Sequence, residues 1–382
     1  MMAQLQVIVP KLNKRTYPVD DTSDKGNVVG TVFDGFQFES QSQLTNSLGT
    51  WYQDRDGYYY WGGGVSLTSV STDDVNLIQI ASTTRISFSE PNASWLNFLG
   101  IGKIWEITKG SLVNVSILDT GINSQNTELF SRIFSSNENL QPITNLTDGS
   151  NDVMDFFGHG TICSSLISFE NKSIVCGIAP DAKLFIGKIS VMGEMSGYEM
   201  LTKGVLWSAN ITNIDIISIS FGQNQNDDSF NDFKKAIEYA ISKNKIIIAA
   251  VGDLENNPDP VYPALFQNCI SVGACDANGN LWNGNAIWDN TTIYAPGVDI
   301  TTYAAKSVYF PDADSTTYKL SGTSQAAAIT AGVVSLIISS LKRKGASYNQ
   351  DSIKNLLTTY SSPSQTDIKK RILNPLKIFS NI

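Results

Sequence analysis

The chain has 382 residues, of which 42% are hydrophobic and 16% charged, so it has enough apolar side chains to bury a large core. Its formal net charge of −9 argues against a nucleic-acid partner or an anionic membrane surface, because binding to phosphate groups requires clusters of Lys and Arg. No apolar run approaches the roughly 20 residues that span a bilayer, and the start of the chain lacks the basic and then apolar pattern of a secretory signal. We therefore expect a folded cytoplasmic protein without a membrane span.

The first 70 residues predict a small all-β domain. Short β-type runs such as LQVIVP, NVVGTVF and TWYQ alternate with clusters of Asp, Gly and Asn, and helical periodicity is missing. The spacing of apolar and turn residues resembles that of a bacterial SH3-type barrel, which implies a peptide or a cell-wall polymer as its ligand. Aromatic residues between Trp51 and Trp61 could line a groove, although strand alternation places about half of them in the barrel core.

Residues 71–93 are polar and irregular and are predicted to form a linker, and residues 94–382 are predicted to form a second domain. Continuous apolar runs in this domain indicate strands buried on both faces. They cover residues 113–118, 183–189, 214–220, 245–251 and 269–274. Helical segments lie between them, which predicts an α/β fold with a doubly wound parallel sheet.

Three polar residues fall at the edge where open α/β sheets bind their ligands. Asp119 ends the strand in VNVSILDTG, His159 opens the helix HGTICSSLISF, and Ser324 opens the helix after LSGT. Singly, each has an ordinary structural explanation: a turn or helix cap for Asp119 and Ser324, and a structural imidazole for His159. Together, in this order and each near a glycine that permits close backbone approach, they predict one site.

The motifs DTG, GHGT and SGTSQAA resemble those of the subtilisin-like serine proteases, over about residues 94–345. The runs GIAPDAKLFIGKI, IISISFG and YAPGVDI also occur in the order of that family. The resemblance implies a serine endopeptidase with Ser324 as nucleophile, His159 as general base and Asp119 as the carboxylate that orients the imidazole. It further implies that the backbone N–H of Ser324, at a helix N-terminus, binds the oxyanion.

One position departs from the family pattern. Where subtilases have Asn after an apolar strand, the run IIIAAVGDLENN has Asp253 in the place of the side-chain donor of the oxyanion hole. An ionised Asp would repel the oxyanion, whereas a protonated Asp could donate to it if burial raised its pKa. This predicts a slow, selective protease with an acid-shifted optimum.

Two alternatives remain open at this point. One is a catalytically impaired scaffold that uses the same domain to bind peptide or protein partners. The other is a variant of the enzyme, in which an amine captures the acyl-enzyme so that the protein processes or ligates peptides. Residues 1–93 show no helices from which the inhibitory prodomain of secreted subtilases could be built, which favours an intracellular enzyme.

The resemblance also implies the residues that bind substrate. It gives two walls to the S1 pocket, at residues 220–222 and 250–252, with Val261 at the base, which predicts a small or medium apolar P1 residue. Phe157 is expected near S2. The predicted substrate-binding residues are Phe157, Ser220, Phe221, Gly222, Ala250, Val251, Gly252 and Val261.

No cofactor or metal is predicted. The calcium loop of the family would lie at residues 169–177, where Glu170 and Asn171 could supply oxygen ligands, but the ligand pattern is incomplete. Acidic residues also precede His159, at Asp148, Asp152 and Asp155. They are interpreted either as a solvated loop face or as groups that attract Lys or Arg of a substrate.

Overall fold

The computed structural model of the chain describes residues 3–7, 11–15, 28–33, 37–40, 42–46, 49–54, 58–61, 65–70, 93–135, 141–171, 175–194, 197–224, 228–255, 258–286, 288–303, 307 and 317–382. The chain divides into two compact units, Met1–Arg85 and Ile86–Ile382. Residues 71–92 of the predicted linker lie outside the described residues.

The described residues of the first unit form β-strands and no helix. All strand pairings are antiparallel, in a five-stranded sheet of order β3-β2-β7-β6-β5 and a three-stranded sheet of order β4-β1-β8. Trp51 and Tyr60 are buried, whereas Trp61 is exposed. The all-β character agrees with the sequence, while closure into an SH3-like barrel stays a prediction. The strands are β1 (Ala3–Val7), β2 (Lys11–Arg15), β3 (Val28–Phe33), β4 (Gln37–Ser40), β5 (Ser42–Asn46), β6 (Gly49–Gln53), β7 (Tyr59–Trp61) and β8 (Val65–Val70).

The second unit is built on a nine-stranded sheet of order β10-β13-β9-β14-β15-β16-β17-β21-β20. Its pairings are parallel except that between β20 and β21. The strands of this unit are β9 (Asn114–Asp119), β10 (Ile143–Asn145), β11 (Glu170–Asn171), β12 (Val175–Cys176), β13 (Lys183–Lys188), β14 (Ile216–Ile219), β15 (Ile246–Ala250), β16 (Ile270–Cys275), β17 (Ile293–Pro296), β18 (Ile300–Tyr303), β19 (Thr317–Leu320), β20 (Ser362–Pro363) and β21 (Arg371–Ile372). The five predicted strands are present, with ends that differ by one or two residues.

Helices connect and cover these strands. They are α1 (Ala93–Phe98), α2 (Ile101–Ile104), α3 (Thr127–Phe130), α4 (His159–Ile167), α5 (Glu199–Asn210), α6 (Phe230–Ser242), α7 (Thr323–Arg343), α8 (Gln350–Thr359) and α9 (Pro375–Phe379). Helix α8 begins with a capping box, in which Asn349 and Ser352 satisfy each other's backbone N–H groups.

Successive residues of the central strands pack into different cores, which explains why the apolar runs are continuous. Ile246 and Ile248 of β15 belong to the larger core, together with α4 and α7, whereas Ile247 lies between them in sequence and belongs to a second core with α5 and α6. Helices therefore cover both faces of the sheet, as in the predicted doubly wound arrangement.

Helix α7 is long and apolar enough to cross a membrane, with a mean hydropathy of 1.6 over its most apolar stretch. However, 89% of that stretch is buried inside the protein, where its side chains pack against the sheet. The apolar composition of α7 is therefore explained by its position in the core. It is the one helix of the described residues that reaches this length and hydropathy.

Candidate active site

Asp119 and His159 form a hydrogen-bonded pair at the carboxyl end of β9. The imidazole Nδ1 lies 2.8 Å from Oδ1 of Asp119 and 3.0 Å from Oδ2. The carboxylate is buried, with 2% of its side chain exposed, and the imidazole is 19% exposed. The backbone N–H of Thr120 also donates to Oδ1 of Asp119, at 2.8 Å. Because Nδ1 faces Asp119, the ring nitrogen left for proton transfer is Nε2.

The position after His159 has no space for a side chain, which explains why it is a glycine. A Cβ atom at Gly160 would collide with the carbonyl oxygen of Gly121, and the N–H of Gly160 donates to the hydroxyl of Thr120 at 2.9 Å. Helix α4 therefore begins in direct contact with the loop that follows Asp119. This close packing is what the glycines of the DTG and GHG motifs allow.

Opposing influences set the pKa of His159. Burial, the largest of them, lowers this pKa, but the charge and hydrogen bond of Asp119 together with the neighbouring Cys163 hold it well above its ordinary range. Two further groups touch the ring: Sγ of Cys163 lies 3.9 Å from Nδ1, and the ring of Phe221 packs edge to face at 5.5 Å between centroids. Cys163 follows His159 by four residues on α4, so the helical repeat could have predicted this contact.

Ser324 lies in the first turn of α7. Its hydroxyl donates to the backbone carbonyl of Ser220 at 3.5 Å, a long and weak hydrogen bond. Since the first N–H groups of a helix have no intrahelical acceptor, the backbone N–H of Ser324 is available to an anion. His159, Ser220 and Ser324 all line the same cleft.

Asp253 lines this cleft as well, in the segment that follows β15. Its Oδ1 atom accepts two hydrogen bonds from Thr323, from the backbone N–H at 2.9 Å and from the hydroxyl at 2.7 Å. Burial raises the pKa of Asp253 above its ordinary range, although donation by Thr323 and the charge of His159 act in the opposite direction. Thr323, which the sequence analysis did not single out, thereby fixes the orientation of the Asp253 carboxyl group.

The cleft has a volume of about 480 Å³ and contains seven of the eight predicted substrate-binding residues. The eighth, Val251, has a fully buried side chain that packs with Ala249 and Ala264, and it is not among the residues of the cleft. Gln223 and Gln325 also line the cleft and were not predicted from the sequence. The lining residues are Phe157, His159, Ile162, Gly193, Ser220, Phe221, Gly222, Gln223, Ala250, Gly252, Asp253, Val261, Leu320, Ser321, Thr323, Ser324 and Gln325.

Val261 occupies the space between the two predicted walls of S1. A Cβ atom at Gly222 would lie 2.7 Å from Cγ2 of Val261, and one at Gly252 would lie 3.6 Å from Cγ1. The backbone of Val261 is held on both sides, because its N–H donates to the carbonyl of Val251 and its carbonyl accepts from the N–H of Leu265, each at 3.1 Å. The methyl groups therefore limit the depth of the cleft between these walls.

The acidic residues before His159 have different environments. Asp148 and Asp152 are exposed, and each accepts a hydrogen bond from a backbone N–H two residues further along the loop. Asp155 is buried and fully engaged by neighbouring donors, so it does not fit either interpretation given to this group from the sequence.

The predicted calcium loop offers little to a metal ion in its described part. Glu170 forms an ion pair with Lys109 at 3.1 Å, and Asn171 belongs to the short strand β11, whereas residues 172–174 lie outside the described residues. Ligand-type atoms of Asp119, His159 and Cys163 lie within 4.8 Å of one another. Since Nδ1 of His159 already faces the Asp119 carboxylate, this cluster is explained by that hydrogen bond.

Comparison with known proteins identifies the second unit. Residues 110–373 match the family model described as the subtilase family, Peptidase_S8. Subtilisin DY of Bacillus licheniformis is 27% identical over 254 residues, which is 65% of this chain and 85% of that protein. Thermitase of Thermoactinomyces vulgaris is 26% identical over 270 residues, 70% of this chain and 89% of that protein.

Solved structures agree with this comparison. The prenylagaramide maturation protease PagA superposes with a TM-score of 0.59 at 26% identity, covering 74% of this chain and 97% of that one. A cold-adapted subtilisin-like serine proteinase superposes with a TM-score of 0.57 at 22% identity, covering 70% of this chain and 90% of that one. The resemblance that the motifs indicated is confirmed, and the chain belongs to the subtilase family of serine endopeptidases.

Proposed function

We propose that this chain is a slow, selective endopeptidase that cleaves peptide bonds through an acyl-enzyme, with Asp119, His159 and Ser324 as its catalytic residues. The observation that carries the proposal is the hydrogen bond between Asp119 and His159, in a cleft that Ser324 also lines. In this mechanism Nε2 of His159 takes the proton of Ser324 as the hydroxyl attacks the scissile carbonyl, and later gives it to the leaving amine. The Asp119 carboxylate stabilises the imidazolium formed in between.

The oxyanion is proposed to bind to the backbone N–H of Ser324 and to a protonated Asp253. Because both donors of Thr323 engage Oδ1, that oxygen acts as an acceptor and the proton belongs on Oδ2. Oδ2 would then donate to the oxyanion as the amide of Asn does in other subtilases. The raised pKa of Asp253 supports this assignment, since it extends the pH range over which the acid is neutral.

The two titrating groups make opposite demands on pH. His159 acts as a base only when it is neutral, above its raised pKa, and Asp253 donates only when it is neutral, below its own raised pKa. Both conditions must hold together, which gives a bell-shaped pH profile. The charge of Glu255 also raises the pKa of Asp253 and so extends the pH range over which Asp253 can donate.

We propose that the enzyme selects its substrates in part by the size of the P1 side chain. Because Val261 fills the space between Gly222 and Gly252, a small P1 side chain such as that of Ala should be favoured over Leu or Phe. The similarity to a maturation protease, PagA, is in keeping with cleavage of particular peptides rather than general digestion.

The size of the P1 pocket can be tested with the substitution Val261→Ala. We expect the ratio of kcat/KM for a P1 Leu substrate to that for a P1 Ala substrate to rise about 10- to 200-fold, the range expected when a pocket gains space for one or two methylene groups. Phe157→Ala serves as the control, since it alters another part of the cleft and should leave this ratio unchanged. An unchanged ratio in Val261→Ala would show that Val261 does not limit P1.

The proposed acyl-enzyme can be detected directly by labelling with a fluorophosphonate. The purified full chain should label at neutral pH, and Ser324→Ala should abolish labelling because the nucleophile is gone. His159→Ala is the second variant, since loss of the base should slow labelling while Ser324 remains present. If the folded wild-type chain does not label between pH 5 and 9, the proposed catalytic role of Ser324 is wrong and the scaffold alternative gains support.

A further inference from the structure

A buried carboxylate outside the proposed triad lies in the loop before α4. Asp155 is 3% exposed, and its two oxygens accept four hydrogen bonds. Oδ1 accepts from the backbone N–H groups of Phe157 at 3.1 Å and Gly158 at 2.7 Å. Oδ2 accepts from Thr161, from its N–H at 2.8 Å and its hydroxyl at 2.6 Å. All four acceptor positions of this carboxylate are therefore occupied by donors from residues 157–161.

These donors lie on both sides of His159 in the sequence. Phe157 and Gly158 precede it and Thr161 follows it, so the Asp155 carboxylate closes the turn from which the imidazole projects. A shift of the His159 backbone would break charge-assisted hydrogen bonds in a buried place, where water could not replace them. The turn is thus held by one side chain.

The same residue connects this turn to the loop that follows Asp119. The backbone N–H of Asp155 donates to the carbonyl of Ile122 at 3.2 Å, and the N–H of Asn123 donates to the hydroxyl of Thr161 at 3.0 Å. The hydroxyl of Thr161 donates in turn to Asp155. Hydrogen bonds through Asp155 therefore join the segment that carries Asp119 to the segment that carries His159.

We propose that Asp155 is a positioning residue that holds His159 at hydrogen-bonding distance from Asp119, an inference that rests on the proposed function of His159 as the general base. Asp155 touches neither the substrate nor the reacting atoms and acts through the turn that it closes. It affects catalysis by fixing the position of the general base. Reaction rates depend steeply on that position, and a misplacement of 1 Å can lower the rate about 100-fold.

The isosteric substitution Asp155→Asn tests this role. An amide carries an NH₂ group where one carboxylate oxygen was, so two of the four donors lose their acceptor. We expect kcat to fall about 10- to 100-fold with KM within about threefold. Since His159 is the only histidine, labelled imidazole gives a single NMR titration curve, and we expect the pKa of His159 to fall as it moves away from Asp119.

Two matched variants separate positioning from general stability. Asp152→Asn changes an exposed carboxylate of the same loop and should behave as the wild type. Asp215→Asn changes a buried carboxylate at the opposite, amino end of the strands, which accepts from Asn114 and Tyr348 and pairs with Lys342. It should lower Tm as Asp155→Asn does, yet leave the titration of His159 unchanged.

A wild-type imidazole titration and wild-type kcat in Asp155→Asn, despite a Tm loss equal to that of Asp215→Asn, would overturn the proposal. If Asp155→Asn does not fold, Thr161→Val can replace it, since it removes one of the four donors and should lower kcat and the pKa of His159 to a smaller extent. Thr161→Ser retains the hydroxyl and should keep both close to their wild-type values. The titration needs no substrate. Suppose that the wild type is inactive but the pKa of His159 falls in Asp155→Asn as expected. That result would refute the proposed function and not the positioning role.

Discussion

Replacement of Asp119 by Asn is expected to lower kcat/KM about 10⁴-fold at neutral pH. The two donors of Thr120, its backbone N–H at 2.8 Å and its hydroxyl at 3.3 Å, both point to Oδ1 of Asp119. In Asp119→Asn they select the orientation with the amide oxygen at that place. The NH₂ group then takes the place of Oδ2, 3.0 Å from Nδ1 of His159.

The amide oxygen, 2.8 Å from Nδ1, can still accept a proton from that nitrogen, but the NH₂ group at 3.0 Å competes for Nδ1 and favours the tautomer with its proton on Nε2. That tautomer cannot accept the proton of Ser324, which is why the loss should be large although the structure changes little. Removal of the negative charge also lowers the pKa of His159, so the residual activity should extend to lower pH.

The measurement combines steady-state kinetics with NMR of labelled imidazole. Asp215→Asn is the control, because it changes a buried carboxylate at the other end of β9 and β14 and should leave both readouts unchanged. A loss of less than tenfold in Asp119→Asn, with an unchanged pKa of His159, would contradict the proposed role of Asp119.

The architecture around this pair was largely predictable from the sequence. Continuous apolar runs predicted strands covered on both faces, and the short polar motifs at their ends predicted which side chains meet. Helices α8 and α9 were not predicted, although Asn349 and Asn374 precede them as capping residues. These capping residues are a local signal for the start of both helices.

Val251 and Asp155 differ in what the sequence could reveal. Val251 was predicted on a wall of S1 together with Ala250; its side chain packs with Ala249 and Ala264, whereas Ala250 lines the cleft. The role of Asp155 could not be predicted from the sequence, in which it is one acidic residue among several. Its four hydrogen bonds depend on how the loop folds back on itself.

Cys163 illustrates an intermediate case. Its spacing of four residues from His159 on a helix predicts that the two side chains share a face, and Sγ does lie 3.9 Å from Nδ1. Burial raises the pKa of the Cys163 thiol, so it is expected to remain neutral beside the imidazole. The Asp119 carboxylate is therefore the charged group that raises the pKa of His159.

The substitution Asp253→Asn is expected to raise kcat/KM at neutral pH by about 10²–10³, the factor that loss of the corresponding Asn side chain costs in subtilisin. Thr323 should hold the amide oxygen where Oδ1 now lies, which leaves the NH₂ group in the place of Oδ2. The donor would then be present at every pH. In the wild type it is lost as the pH rises through the raised pKa of Asp253, and this loss forms the alkaline limb of the profile.

Asp253→Asn should therefore abolish the alkaline limb and keep the acid limb, which belongs to His159. The acid limb should stay near its wild-type position, because Asp253 is already neutral at that pH and carries no charge that could raise the pKa of His159. The measurement is kcat/KM from pH 5 to 10, with NMR titration of the imidazole in parallel.

Glu255→Gln is the matched control for charge alone. Glu255 is exposed and its charge raises the pKa of Asp253, so its removal should move the alkaline limb to lower pH without supplying a donor. A large gain in rate in Asp253→Asn but not in Glu255→Gln would assign the effect to the hydrogen bond. If Asp253→Asn retains both the wild-type rate and the alkaline limb, Asp253 does not contact the oxyanion, and the slow step must be sought elsewhere in the site.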